Sequence, residues 1–170
     1  MWYLEHDRSQ SWEDMQNEII SFDTVEDFWS VYNHIKPPSE IKVGCDYSLF
    51  KHGIRPMWED DANKQGGRWM ITLNKSSTTD LDNLWLDVLL CLISEAIDNS
   101  DQICGAVVNI RAKNNKISIW TANGSNEAAE MEFGCKLRDA LRLQSQNLLY
   151  QPHNDAMIKQ GSTAKSTLSL

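Results

Sequence analysis

The sequence predicts an α+β domain in which helices cover one face of an antiparallel sheet. Three observations lead there. Apolar residues recur at helical spacing in three separated stretches, and the segments between them alternate apolar and polar in the manner of half-buried strands. Two of those strands, residues 104–111 and 116–121, are joined only by Ala112-Lys113-Asn114-Asn115, a turn that makes them an antiparallel hairpin.

Taken in order, residues 1–6 and about 18–22 read as strands. Thr24-Val25-Glu26-Asp27 resembles a capped helix start, and Val25, Phe28, Trp29, Tyr32 and Ile35 keep helical spacing until Pro37-Pro38 stops it, so the first helix is expected over 24–35. A strand follows at 47–51, Gly66-Gly67 reads as a hairpin turn, and another strand spans 68–74. From Asp80 the residues Leu81, Leu84, Trp85, Val88, Leu89, Leu92, Ile93 and Ala96 hold one stripe for about four turns. At 100° per residue Leu86 falls at the edge of that stripe and Leu90 nearly opposite it, which leaves Leu90 facing water. After the hairpin, a third helix is expected over about 126–141 on Ala129, Phe133, Leu137, Ala140 and Leu141, then a strand at 147–151. The stretch of about 158–167 turns small and polar and reads as a mobile loop.

The hairpin sorts the two faces of the sheet. With Arg111 opposite Lys116, the side chains of Ala106, Val108, Ile110, Ile117 and Ile119 share one side. Val107, Asn109, Arg111, Lys116, Ser118 and Trp120 share the other. In residues 68–73 the same alternation sends Trp69, Ile71 and Leu73 to the apolar side and Arg68 and Thr72 to the polar one. Helices on the apolar side leave the polar, cationic side free to hold a ligand.

Composition narrows what that ligand can be. A chain of 170 residues is the size of one domain and can bury a substantial core. No apolar run approaches the ~20 residues of a membrane helix, and the first residues reach a charge before any signal-like stretch develops, so a cytosolic or nuclear protein is expected. Cys45, Cys91, Cys104 and Cys135 show no C-x-x-C pairing and read as reduced, space-filling thiols. The four histidines lack metal-ligand spacing, and no phosphate-loop, nucleophile-elbow or zinc-protease motif is present, so neither a metal, a cofactor nor an enzymatic activity is expected. A net charge of −8 opposes broad binding to phosphate backbones, so any nucleic-acid contact must be local. Nothing asks for an obligate dimer.

Seven tryptophans are the oddity of the composition, and two of them sit in polar loops without core periodicity. Trp12 lies in Gln10-Ser11-Trp12-Glu13-Asp14 and Trp58 in Met57-Trp58-Glu59-Asp60. Such a pair can sandwich a base, each stacking contact contributing ~1–3 kcal/mol, and a cationic base adds a cation–π attraction. The alternative is that both anchor their loops. Glu59 could accept from the two Watson–Crick donors of guanine, which adenine lacks, or could be an ordinary solvated acid. Arg68, Arg111 and Lys116 could meet phosphates, and Trp120 could close over a substituent on the base. Trp29 borders its helix stripe; together with off-stripe Leu86 and Leu90 it could form a docking surface for a partner helix, or belong to the core.

With these residues in view, the chain resembles the cap-binding translation initiation factor 4E family. The resemblance rests on Phe22-Asp23-Thr24-Val25-Glu26-Asp27-Phe28-Trp29, Gly44-Cys45-Asp46-Tyr47-Ser48-Leu49-Phe50-Lys51, Pro56-Met57-Trp58-Glu59-Asp60, Gly66-Gly67-Arg68-Trp69, Cys104-Gly105-Ala106-Val107-Val108-Asn109 and Gly161-Ser162-Thr163, in that order. It implies a single cap-binding domain over 1–170, with a curved eight-stranded antiparallel sheet, three helices on its convex face and the 7-methylguanosine cap of messenger RNA on the concave side. It assigns Trp12 and Trp58 to the base sandwich and Glu59 to guanine recognition. Trp120 falls to the methyl group, Arg111, Lys116 and Lys159 to the phosphates, Arg68 to water-mediated contact, and Asn109 to a supporting position. Val25, Trp29, Leu86 and Leu90 match the surface that takes a tyrosine- and leucine-bearing helix from the initiation scaffold or from competing repressors, and Ser162 resembles a phosphorylation position. The family's N-terminal leader, with its His-Pro element, lies outside these residues. Asp87 and Ser94 depart from the usual glutamate and glycine on the partner-binding helix, and Glu130 and Lys136 from apolar residues in the third helix. Asp87 and Ser94 keep open a cap-binding paralogue that represses translation through weak scaffold recruitment.

Overall fold

The computed structural model describes residues 1–5, 15–75, 78–98, 100–144, 146–154 and 168–170. Eight strands form one antiparallel sheet: β1 (Trp2–Glu5), β2 (Gln16–Glu18), β3 (Cys45–Phe50), β4 (Gly67–Asn74), β5 (Ile103–Asn109), β6 (Asn114–Thr121), β7 (Leu148–Pro152) and β8 (Leu168–Ser169). They lie in the order β2-β1-β3-β5-β6-β4-β7-β8. Three helices, α1 (Val25–Tyr32), α2 (Thr78–Ile93) and α3 (Glu127–Ala140), complete the α+β layer.

Strand alternation places the core. Trp69, Ile71, Ala106, Val108, Ile117, Ile119, Leu148 and Tyr150 are buried together with Phe28, Leu81, Trp85, Val88, Leu89, Phe133 and Leu137 of the helices. Strand Cβ atoms alternate across the sheet, so the intervening residues Arg68, Met70, Val107, Asn109, Lys116, Ser118 and Trp120 share the opposite face. The face sorting read from the hairpin therefore holds, although its register differs. Lys116 pairs with Asn109 rather than Arg111, because β6 starts at Asn114 and the turn lies before it. A slip of two residues preserves every side chain's face, whereas a slip of one would have inverted it.

Other expectations shift in position. The second strand is Gln16–Glu18, not 18–22, and Ile19 and Ile20 emerge exposed beyond it. Thr24 caps α1 by accepting from the Asp27 N–H at 3.1 Å, as Thr24-Val25-Glu26-Asp27 suggests, but the regular helix stops at Tyr32. Turn bonds from His34 and Ile35 to the Val31 carbonyl carry the chain on to the prolines. Gly66-Gly67 is no hairpin turn: Gly67 opens β4, and a Cβ on Gly66 would stand 1.7 Å from the Thr121 carbonyl oxygen. Close backbone approach, rather than turning, demands glycine there. The eighth strand, Leu168–Ser169, has no periodic sequence signal; it pairs with β7, and Leu148 and Leu170 exchange backbone bonds beside it.

Two of the departures in the third helix find local partners. Glu130 turns inward and accepts from the Trp69 indole N–H at 3.1 Å, with burial pushing its carboxyl above the usual range. Lys136 stays outside, 2.9 Å from Glu132 and 3.5 Å from Asp98. All four cysteines are free thiols, and burial pushes that of Cys104 up to about 11. Among the described residues no helix is long and apolar enough to cross a membrane.

Candidate nucleotide-binding cavity

The concave face encloses a cavity of about 400 Å³. Its floor is strand-borne: Asp46 and Ser48 from β3, Arg68 and Met70 from β4, Val107 and Asn109 from β5, Lys116, Ser118 and Trp120 from β6. Arg111 enters from the turn after β5, and Trp2 and Leu4 close the β1 side. Pro56, Met57, Trp58 and Glu59 overhang it from the β3–β4 connection.

That connection is held by short polar side chains, since it has no ladder. The buried Asn63 amide donates to the carbonyls of Arg55 at 2.9 Å and Met57 at 2.8 Å. Asp60 accepts from the Arg55 and Ala62 N–H groups, each at 3.0 Å, and Gln16 donates across from β2 to the Pro56 carbonyl at 3.0 Å. Side-chain bonds of this kind replace a strand ladder where the backbone turns. Trp58 is half-buried against Phe50, Val107 and Trp120, with the Arg68 guanidinium 5.9 Å from its ring. Its own backbone N–H donates to no described group. Glu59 is exposed beside it.

The cations are held differently from one another. Both terminal nitrogens of Arg111 bond Asp46, one at 3.0 Å, and Asp46 is nearly fully buried. A paired acid fixes the guanidinium's direction, and Nη1 also donates to the Ile110 carbonyl at 3.1 Å, so Arg111 lines the cavity in one orientation. Arg68 gives Nε and Nη2 to Gln151 Oε1 at 3.2 and 2.7 Å, and burial holds its pKa below the usual arginine value. This fits a residue that buttresses Trp58 more than one that reaches a ligand directly. Lys116 is exposed at the rim. Trp120 is buried edge-on to Phe50 at 5.3 Å and lies 4.3 Å from the His153 ring. His153 is 0% exposed, and neither ring nitrogen has a partner among the described residues.

The structure thus brings Trp58, Glu59, Arg68, Asn109, Arg111, Lys116 and Trp120 into one cavity. Trp12, Lys159 and Ser162 lie outside the described residues. Asp46, Asn63, Gln151 and His153 were not anticipated. For Asp46 a signal existed, because Asp46, Ser48 and Phe50 alternate with Tyr47 and Leu49 along one strand. The other three carry no pattern that separates them from ordinary loop or strand polar residues.

On the opposite side, Val25 and Trp29 are 55% and 36% exposed, while Phe28 between them is buried. Leu86 is half-buried. Leu90, expected to face water, is half-buried as well, because it lines a cleft with Asp87 and Ser94 of the α2 end and Ala140, Leu141 and Arg142 of the α3 end. An isolated-helix wheel cannot anticipate such a neighbour. Ser94 donates to the Leu90 carbonyl at 2.7 Å, and the chain leaves the helix through Glu95 at φ +50°, a turn that glycine adopts more easily.

The model of the family described as eukaryotic initiation factor 4E matches residues 1–168. The chain belongs to the initiation factor 4E family. It is 77% identical to translation initiation factor 4E1 of Drosophila melanogaster over its whole length, spanning 66% of that protein. It is 51% identical to human translation initiation factor 4E, with 98% of this chain and 78% of that one aligned. Among solved structures it is similar to Ascaris suum eIF4E-3 in complex with the m2,2,7G cap, at 42% identity and TM-score 0.89, over 99% of this chain and 93% of that one. C. elegans eIF4E-3 with the 4E-binding protein Mextli and a cap analog superimposes at TM-score 0.90 and 42% identity, over 99% and 94%. These likenesses support the eight-stranded sheet and three helices implied by the sequence motifs of this 4E-family chain.

Proposed function

We propose that this initiation factor 4E family member binds the 7-methylguanosine cap of messenger RNA in the concave cavity and recruits the translation initiation scaffold through its convex face. The observation that carries this reading is the pairing, within one 400 Å³ space, of an aromatic–carboxylate end and a cationic end. Trp58 offers a stacking face, Glu59 an acceptor for the guanine N1–H and N2–H₂, and the Trp58 backbone N–H a donor for its carbonyl. Arg111 and Lys116 receive the phosphates, Lys159 adds to them, and Trp12 supplies the second stacking wall. Methylation gives the base a positive charge, which strengthens its attraction to both indole faces. Recognition is non-covalent throughout, and the protein acts in the cytoplasm. Relatives bound to a cap and to a 4E-binding protein support both halves of the proposal.

Titration with 7-methyl-GTP and with GTP, followed by tryptophan fluorescence, tests the first half. Strong quenching by the methylated nucleotide alone is expected; equal responses would mean the cavity does not select a cationic base. For the second half, Trp29→Ala is expected to leave 7-methyl-GTP affinity unchanged and to abolish binding of a helical peptide bearing tyrosine and leucine anchors. Loss of both would place Trp29 in the structural core.

A further inference from the structure

Ser118 occupies the centre of the cavity floor without a role in the reading above. On β6 it is the same-face neighbour of Lys116 on one side and Trp120 on the other, each roughly 7 Å away along a strand. Across the ladder it faces Met70 of β4, whose thioether is only a weak acceptor, and Val107 of β5, whose side chain has none. The residue is 1% exposed, and its Oγ has no hydrogen-bond partner among the described residues. A buried, unbonded hydroxyl costs free energy that a bound acceptor would recover. The surrounding side chains specify the charge of that acceptor. Arg68, Arg111 and Lys116 make this part of the cavity cationic, and a hydroxyl donates most strongly to an anionic oxygen.

We propose that the Ser118 hydroxyl is a further ligand of the bound nucleotide, donating to the phosphate nearest the base. The position follows from the strand: Lys116 marks the phosphate end and Trp120 the base end, so the group between them meets the junction. The inference rests on the cap-binding reading of this cavity.

The test is Ser118→Ala, a substitution that removes one oxygen and adds no bulk, titrated with 7-methyl-GTP, 7-methyl-GMP and 7-methylguanosine. A five- to tenfold loss for both nucleotides with unchanged nucleoside affinity is expected. Equal loss for all three ligands would make the hydroxyl a support for Trp120 and overturn the assignment, as would no loss for any. Loss confined to the triphosphate would move the contact along the phosphate chain and overturn the placement at the first phosphate. Wild-type protein that binds none of the three would instead remove the cap-binding reading itself.

Discussion

Trp58 and Glu59 reach the cavity from the 51–66 connection, held by side-chain bonds of Asp60, Asn63 and Gln16. Lys116, Ser118 and Trp120 reach it from a strand paired on both sides, β5 to one flank and β4 to the other. The strand wall is positioned redundantly, since many ladder bonds must fail before one of its side chains moves. The loop wall depends on a few polar side chains, so its geometry is more easily lost and more easily tuned. The division suits a ligand with a flat base and a charged chain, and in the proposed reading the phosphates meet the fixed floor and the base the overhanging clamp.

The most direct way to break this comparison is to remove the clamp's contact groups. Trp58→Ala and Glu59→Ala are each expected to weaken 7-methyl-GTP binding at least tenfold, a loss of ~1.4 kcal/mol or more, by fluorescence or calorimetric titration. Wild-type affinity in both variants would show that the strand floor alone carries binding, and the two-wall description would be discarded.

The same contrast explains what could be read in advance. Strand residues announce their face through alternation, so Arg68, Lys116 and Trp120 were placed correctly even though the hairpin register was two residues off. Trp58 and Glu59 were visible only as an unexpected tryptophan beside an acid in a polar loop. The side chains that hold that loop, Asn63 above all, could not be seen, because a buried loop asparagine and a solvated one look alike in one dimension. Gln151 and His153 were hidden for another reason. They act between segments distant in sequence, Gln151 on Arg68 across the β4–β7 ladder and His153, just past β7, on Trp120. Leu90 departs from its helix-wheel expectation for the same cause: the end of α3 that lines its cleft lies about fifty residues onward, beyond the reach of helical periodicity.

His153 gives a way to perturb the strand wall alone. Its ring lies beneath Trp120, and burial, with Arg68 nearby, depresses its pKa from 6.5 to about 3. The unfolded chain therefore binds a proton between pH 6.5 and 3 that the folded one does not, so stability is full above 6.5 and declines as pH falls toward 3. One pKa unit corresponds to ~1.4 kcal/mol, so about that much should be lost from this group by pH 5.5. Thermal melts from pH 7.5 to 5.5 should show the decline, and His153→Phe should flatten it. An equal slope in the variant would mean that other groups dominate and that His153 is not held neutral by the wall it supports.

A smaller and more diagnostic perturbation loosens the clamp without touching its contact residues. Asn63→Ala removes two donations, to the Arg55 and Met57 carbonyls, on either side of the backbone that leads into Trp58. The Asn63 Oδ1 bonds nothing in the described structure, so the loss is confined to those two bonds. The Arg55 carbonyl lies near solvent and can be rehydrated, whereas the Met57 carbonyl is buried, so the cost to stability is that of about one unsatisfied acceptor. Affinity should suffer more than folding, because the indole must be held in one orientation to stack and the loop now pays that ordering when ligand binds. A loss of about fivefold in 7-methyl-GTP affinity, ~1 kcal/mol, is expected, with a melting temperature within a few degrees of the parent. The converse result, a large fall in melting temperature with affinity intact in the folded fraction, would show that Asn63 belongs to the fold's support and that the clamp is as rigidly founded as the strands.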